Sequence, residues 1–182
     1  MPTIYLSPST QEFNPYNGGG NEEYYMNLVA DAMEPYLEAS SIDFERNTPS
    51  QTLSQAVAQS NSSDYDLHFA IHSNAAGQQN SGQVRGVEFY YYPTSEGGER
   101  FANILKENYK EVYPDPQKIK TIGATTLFET RRTKAPAVLA EVAYHDNEED
   151  ADFIRSNIDD IARNFAKSIA QYLSVPFVDP NA

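Results

Sequence analysis

The chain has 182 residues, no cysteine and a formal net charge of −13. That length suits one domain with a sizeable core. The lack of cysteine excludes disulfides and thiolate metal sites, and the acidity argues against nucleic acid and anionic membrane surfaces, which select for basic patches. No run is long and apolar enough to span a bilayer and no basic-then-apolar leader opens the chain. The expectation is a cytoplasmic chain, or one that leaves the cell by a removed leader or another route. Thirteen tyrosines without tryptophan suit amphipathic surfaces that meet sugars or peptides, although half-buried core positions are the plainer reading for most of them.

Taken in order, Thr3 to Leu6 reads as a short strand. A long loop rich in turn formers follows, from Ser7 to Asn21, and a loop of that length within a compact domain is usually functional. Asn21 can cap the next helix, with Glu22 and Glu23 in its first turn where the dipole favours carboxylates. Leu28, Val29, Met33, Tyr36 and Leu37 form its apolar face, and Pro35 is expected to kink or end it. Ser41 to Arg46 is a second strand. Thr48 to Gln51 offers a capping box and a proline at the first helical position, with Leu53, Ala56 and Val57 buried beyond it. Leu67 to Ile71 is a buried strand, Val87 to Tyr92 another. Phe101, Ile104, Leu105, Tyr109 and Val112 have helical spacing up to Pro114 and Pro116. Thr121 to Thr130 is weakly patterned and reads as a strand or an extended loop, followed by the basic patch Arg131 to Lys134. Pro136 to Ala143 is a strand, a short helix starts at Asn147, and Ile158, Ile161, Phe165, Ile169 and Tyr172 line a longer one. The tail from Pro176 reads as a loose end. Strands alternating with helices predict a single α/β domain, a three-layer sandwich with a mostly parallel sheet and helices on both faces.

Three histidines and one glutamate carry the chemical interest. His72 stands where the Leu67–Ile71 strand gives way to Ser73 and Asn74, the carboxyl end at which open α/β sheets place ligands. His68, four residues earlier on the same strand face, lies about 13 Å away along a regular strand. It reads as a core histidine with a hydrogen-bond partner. Glu141 sits inside an apolar strand, where a carboxylate is costly unless it is paired or used. It is either paired with Arg131, Arg132 or Lys134, or a general acid–base group whose pKa burial raises. His145 follows a few residues later. The three glycines before Glu22 lack the lysine and hydroxyl of a phosphate loop.

Four stretches resemble, in order, motifs of the zinc-dependent N-acetylmuramoyl-L-alanine amidases of the Amidase_3 family. Glu23-Tyr24-Tyr25-Met26-Asn27-Leu28 resembles the family's Glu-x-x-x-Asn-Leu, and Ala70-Ile71-His72-Ser73-Asn74-Ala75 its Ser-Ile-His-x-Asn-Ala. Gly86-Val87-Glu88-Phe89-Tyr90-Tyr91 resembles Gly-Val-Glu-x-Tyr-Tyr. Pro136-Ala137-Val138-Leu139-Ala140-Glu141, with Tyr144 and Asn147 after it, resembles the family's Pro-Ala-Val-Leu-x-Glu followed by an aromatic residue and then Asn. The resemblance implies zinc on Glu23 and His72, Glu141 activating a water, and cleavage of the amide between N-acetylmuramic acid and L-alanine in peptidoglycan. The chain would act at a bacterial cell wall as a monomer, and Asn74, Arg131 and Asn147 are the candidate substrate contacts. The family's first strand ends in Gly-His-Gly-Gly, whose histidine is a zinc ligand, whereas Ser7 to Asn14 has none. His145 is then the first candidate for the third zinc ligand and Glu12 the oxygen alternative. Weak zinc binding, or a non-catalytic wall-binding relative, are the other readings.

Overall fold

In the computed structural model, which describes all 182 residues, six strands form one sheet: β1 (Thr3–Pro8), β2 (Asp43–Arg46), β3 (Leu67–Asn74), β4 (Val87–Tyr91), β5 (Ile119–Gly123) and β6 (Ala137–Tyr144). Their order is β2-β1-β3-β6-β4-β5. The first four in that order run parallel; β4 is antiparallel to β6, and β5 runs parallel to β4. The helices are α1 (Glu22–Ala39), α2 (Leu53–Ser60), α3 (Glu96–Tyr109), α4 (Phe128–Arg132), α5 (Glu148–Ser156) and α6 (Ile158–Leu173). No helix is long and apolar enough to cross a membrane.

The two sheet faces differ in chemistry, and the difference positions the site. Residues two apart on a strand share a face. Ile4, Leu6, Phe69, Ile71, Val87, Phe89, Val138, Ala140 and Val142 project to one side and join the apolar core with α1, α3 and α6. There Phe69 meets Phe101 and Phe165 edge-on, with ring centroids 5.4 and 5.0 Å apart. Burying each such side chain contributes about 1.5–3 kcal/mol. The alternate residues Ser7, His68, His72, Glu88 and Glu141 take the other face, which α2 and α4 cover through Ser60 and Glu129.

Local signals account for most element ends. Asn21 accepts a hydrogen bond from the Tyr24 N–H and starts α1, as expected of an asparagine N-cap. The expected stop at Pro35 does not occur. α1 continues to Ala39, because Tyr36 and Leu37 beyond the proline are buried in the core, which outweighs one lost backbone bond. The capping box also lies one pattern later than Thr48–Gln51. Thr52 and Gln55 form it reciprocally, while Gln51 accepts the Thr48 N–H in a preceding turn. The ambiguous Thr121–Thr130 stretch divides into the end of β5 and the start of α4. The tail is held: Arg163 binds Asp179, Phe177 stacks on Tyr36, and the Val178 N–H donates to Ser40.

Candidate active site

Strand register brings the central side chains together. His72 on β3 pairs with Glu141 on β6, and Glu141 pairs with Glu88 on β4, so the three stand in a row on the polar face. Glu141 pairs with no arginine or lysine, neither Arg131, Arg132 nor Lys134. The residue is partly open, but its Oε2 is buried without a hydrogen bond. Burial pushes its carboxyl up to about 8; the His72 charge opposes the shift, and the Glu22 and Glu88 carboxylates add to it. An acid with such a value changes protonation near neutral pH, as a general acid–base group requires.

His72 is bracketed on both sides. Its Nδ1 lies 2.8 Å from Glu22 Oε1 and its Nε2 lies 3.2 Å from Glu129 Oε2. The other oxygen of Glu129 is 3.1 Å from His68 Nε2, and His68 Nδ1 is 2.8 Å from Ser60 Oγ. Ser7 also donates to Glu129. Glu22 accepts from Asn14 Nδ2 at 2.6 Å, and the Gln11 side-chain amide lies 3.3 Å from His72 Nδ1. Burial would lower the pKa of His72, but hydrogen bonds and charges from Glu129 and Glu22 hold it well above the usual imidazole value. Burial would raise both carboxylates; the histidines beside them hold Glu129 and Glu22 below the ordinary carboxylate range. Although His68 and His72 are four residues apart, one carboxylate spans them.

The expected residues divide into those that meet and those that do not. His72 and Glu141 share the site. Of the two adjacent glutamates, Glu22 rather than Glu23 reaches His72. Next to the Asn21 cap, Glu22 is turned inward and buried, while Glu23 is only half-buried about 100° further round the helix. His145 does not converge with His72. Its Nδ1 lies 2.9 Å from Ser73 Oγ and its ring stacks on Tyr16 at 5.1 Å; burial lowers its pKa. Asn74 borders the row, donating to Glu88 Oε2 at 3.1 Å. Asn147 caps α5 and donates to the Gly82 carbonyl, a structural position. Arg131 is exposed on α4, and Glu12 is exposed in the loop after β1.

That loop is pinned to the site. Tyr16 is buried, and its hydroxyl donates to Ser73 at 2.6 Å. The Asn17 N–H donates to the His145 carbonyl at 2.9 Å. Together Asn14, Tyr16, Asn17, Gln78, His145 and Asp146 line an open cleft of about 550 Å³.

Glu129 and Glu88 were not visible as site residues in the sequence. Glu129 has one available signal: it is the single acidic residue between Asp115 and Glu141. Glu88 faces the site only through the antiparallel pairing of β4 with β6.

No group of three or more histidine, aspartate or glutamate side chains is arranged to hold a metal ion. The Nδ1 side of His72 offers Glu22 and two amide side chains, and its Nε2 side offers Glu129 in a closed pocket with His68 and Ser7. Catalytic zinc needs three protein donors and an open position. The donor set as arranged does not fit that ion.

The fold and site define an α/β domain with a row of His72, Glu141 and Glu88 on the polar face of its sheet and an open cleft under the loop after β1. Residues 10–171 match the N-acetylmuramoyl-L-alanine amidase family, Amidase_3, and the chain belongs to that family. Among solved structures it is similar to the N-acetylmuramoyl-L-alanine amidase AmiC2 of Nostoc punctiforme, with TM-score 0.80, 20% identity and coverage of 95% of this chain and 97% of that one. The catalytic domain of CwlV, an N-acetylmuramoyl-L-alanine amidase from Bacillus (Paenibacillus) polymyxa var. colistinus, gives 0.81 at 20% identity, covering 97% and 100%. Cwp6 from Clostridium difficile gives 0.82 at 24% identity, covering 94% of this chain and 29% of that one. At these identities the likeness is one of fold. No curated protein matches the chain.

Proposed function

We propose that this domain acts on bacterial peptidoglycan. It hydrolyses the amide between the lactyl group of N-acetylmuramic acid and the L-alanine of the stem peptide, with Glu141 carrying the proton. The observation that carries this reading is the Glu141 carboxylate: set in an apolar strand, without an arginine or lysine partner, beside His72 and with its pKa pushed up to about 8 by burial. Ionised Glu141 takes a proton from the attacking water as the water oxygen bonds to the carbonyl carbon. It then returns that proton to the departing nitrogen, so the amide and water become a carboxylic acid and an amine. Such a group contributes about 10²–10⁴-fold. The neighbouring cleft, with its amides, Tyr16 and Asp146, offers hydrogen-bonding partners to sugar and stem peptide. The proposed place of action is the cell wall, and the proposed working form is a monomer. The zinc dependence of the family is not carried into this mechanism, because the donor set does not converge.

One observation favours a second reading from a different class, a wall-binding module with a degenerate site. The loop after β1 has no histidine, and His72 is occupied by carboxylates on both sides. Digestion of purified sacculi, with mass spectrometry of the soluble products, separates the two. Hydrolysis yields stem peptides with a free L-alanine amino group, and Glu141→Gln abolishes their release while the protein stays folded. Binding to sacculi with no such peptides released replaces the enzyme by the binding module.

A further inference from the structure

We infer that the position where a family amidase would bind zinc is closed in this chain by its own side chains: Glu22 at Nδ1 and Glu129 at Nε2 of His72 occupy both points through which that histidine could ligate a metal. The inference concerns the same site as the amidase reading but does not depend on hydrolysis.

A histidine ligates through a ring nitrogen lone pair. A carboxylate oxygen only accepts hydrogen bonds. With Glu22 Oε1 2.8 Å from Nδ1 and Glu129 Oε2 3.2 Å from Nε2, each ring nitrogen already faces a carboxylate oxygen at hydrogen-bond distance. Charge-assisted bonds of this kind are roughly twice as strong as neutral ones. A zinc ion entering on either side must displace that carboxylate from the ring nitrogen and leave it buried without its partner.

The carboxylates are themselves fixed. Glu129 is held by His68 at 3.1 Å and by Ser7, and His68 by Ser60 at 2.8 Å. Glu22 is held by Asn14 at 2.6 Å. The result is a ladder from Ser60 through His68, Glu129 and His72 to Glu22 and Asn14, linking α2, β3, α4 and α1. Swinging Glu129 aside to free Nε2 therefore breaks the His68 and Ser7 contacts as well.

No third ligand stands by. The first strand ends in Ser7, Pro8 and Ser9, and the nearest side chain from its loop is the amide of Gln11. His145, the remaining histidine, is committed to Ser73 and stacked on Tyr16. Family members need a metal ligand where this chain has a hydroxyl and amides; Glu129, supplied from the opposite face of the site, completes His72 instead. Glu129 is thus a positioning residue for His72 in this chain.

The test uses tag-free parent protein, treated with chelator, dialysed and titrated with zinc chloride while the ring nitrogens of the three histidines are followed by long-range proton–nitrogen NMR. The expected result is that the His72 ring-nitrogen signals do not move at micromolar zinc. Zinc that binds while leaving the His72 signals unchanged occupies a different site and supports the inference. A stoichiometric, saturable zinc-induced shift of the His72 nitrogens to the metal-bound range overturns it. The readout is independent of catalysis. Loss of peptide release from sacculi removes the amidase reading and leaves the closed site standing, whereas zinc on His72 with peptide release does the reverse.

Discussion

Replacing Glu141 by glutamine isolates the energetic cost of its carboxylate. In the folded protein its pKa is raised from its ordinary 4.5 to about 8. The folded state therefore holds this proton over a range where the unfolded chain has released it, and stability falls as pH rises through that window. Each pH unit costs about 1.4 kcal/mol, so about 3 kcal/mol has accumulated at pH 7, reduced to the extent that water reaches this partly open residue. Glutamine does not titrate and escapes the penalty. Its amide needs new hydrogen-bond partners, an offset of about 1–3 kcal/mol that does not depend on Glu141 ionisation. The diagnostic quantity is therefore the pH dependence of the difference between Glu141→Gln and parent. Urea denaturation of both proteins at pH 5, 6, 7 and 8 should show the variant gaining relative stability by about 2–3 kcal/mol from pH 5 to pH 7 and levelling off above pH 8. In melting temperature, 1 kcal/mol corresponds to roughly 2–4 °C for a chain of this size. A difference that stays constant across the series refutes the buried, protonated carboxyl and with it the basis for Glu141 as the proton carrier.

Glu129→Gln takes a charge from between His68 and His72, and uncoupling a buried pair costs about 3–5 kcal/mol. Because Glu22 and Glu129 are held below the ordinary range, their contribution is present above about 4.5 and is lost as pH falls below it. Acid denaturation should thus be less steep in the variant than in the parent, and equal slopes would detach Glu129 from the ladder. Tyr16→Phe removes the hydroxyl that binds Ser73 and should lower stability by about 1 kcal/mol. It should also slow peptide release from sacculi, since the loop that lines the cleft loses its tether; unchanged turnover in a folded variant would remove the loop from the substrate site. Gly86→Ala places a Cβ 2.8 Å from the Lys118 carbonyl oxygen at a backbone φ of +138°. The loss should exceed the about 0.4–1 kcal/mol that the substitution gains where alanine fits, and a melting temperature at or above that of the parent would show that the β4 entrance is not strained.

The order of elements, the α/β class and the two central residues were legible in the chain itself. Apolar runs ending at His72 and carrying Glu141 mark buried strands by local composition, and a carboxylate in such a run stands out wherever the strand goes. Asn21 announced α1 because capping is a contact between residues three apart. What depended on pairing was not legible. That Glu141 lies beside His72 on one side and Glu88 on the other follows from the register of three strands, which no segment of the chain contains. The choice of Glu22 over Glu23 rests on the rotation of α1 against the sheet, and a glutamate pair at a helix start reads the same either way. The continuation of α1 past Pro35 was likewise decided by burial of Tyr36 and Leu37, not by propensity. Glu129 lay in the least patterned stretch and belongs to a short helix whose meaning comes from what it covers. The histidine missing after β1 was visible in the sequence, but only the tertiary structure supplied Glu129 from the far side of His72. Local interactions fix elements and their ends, whereas a site assembled from α1, β3, α4, β4 and β6 exists only after long-range packing has set their faces against one another.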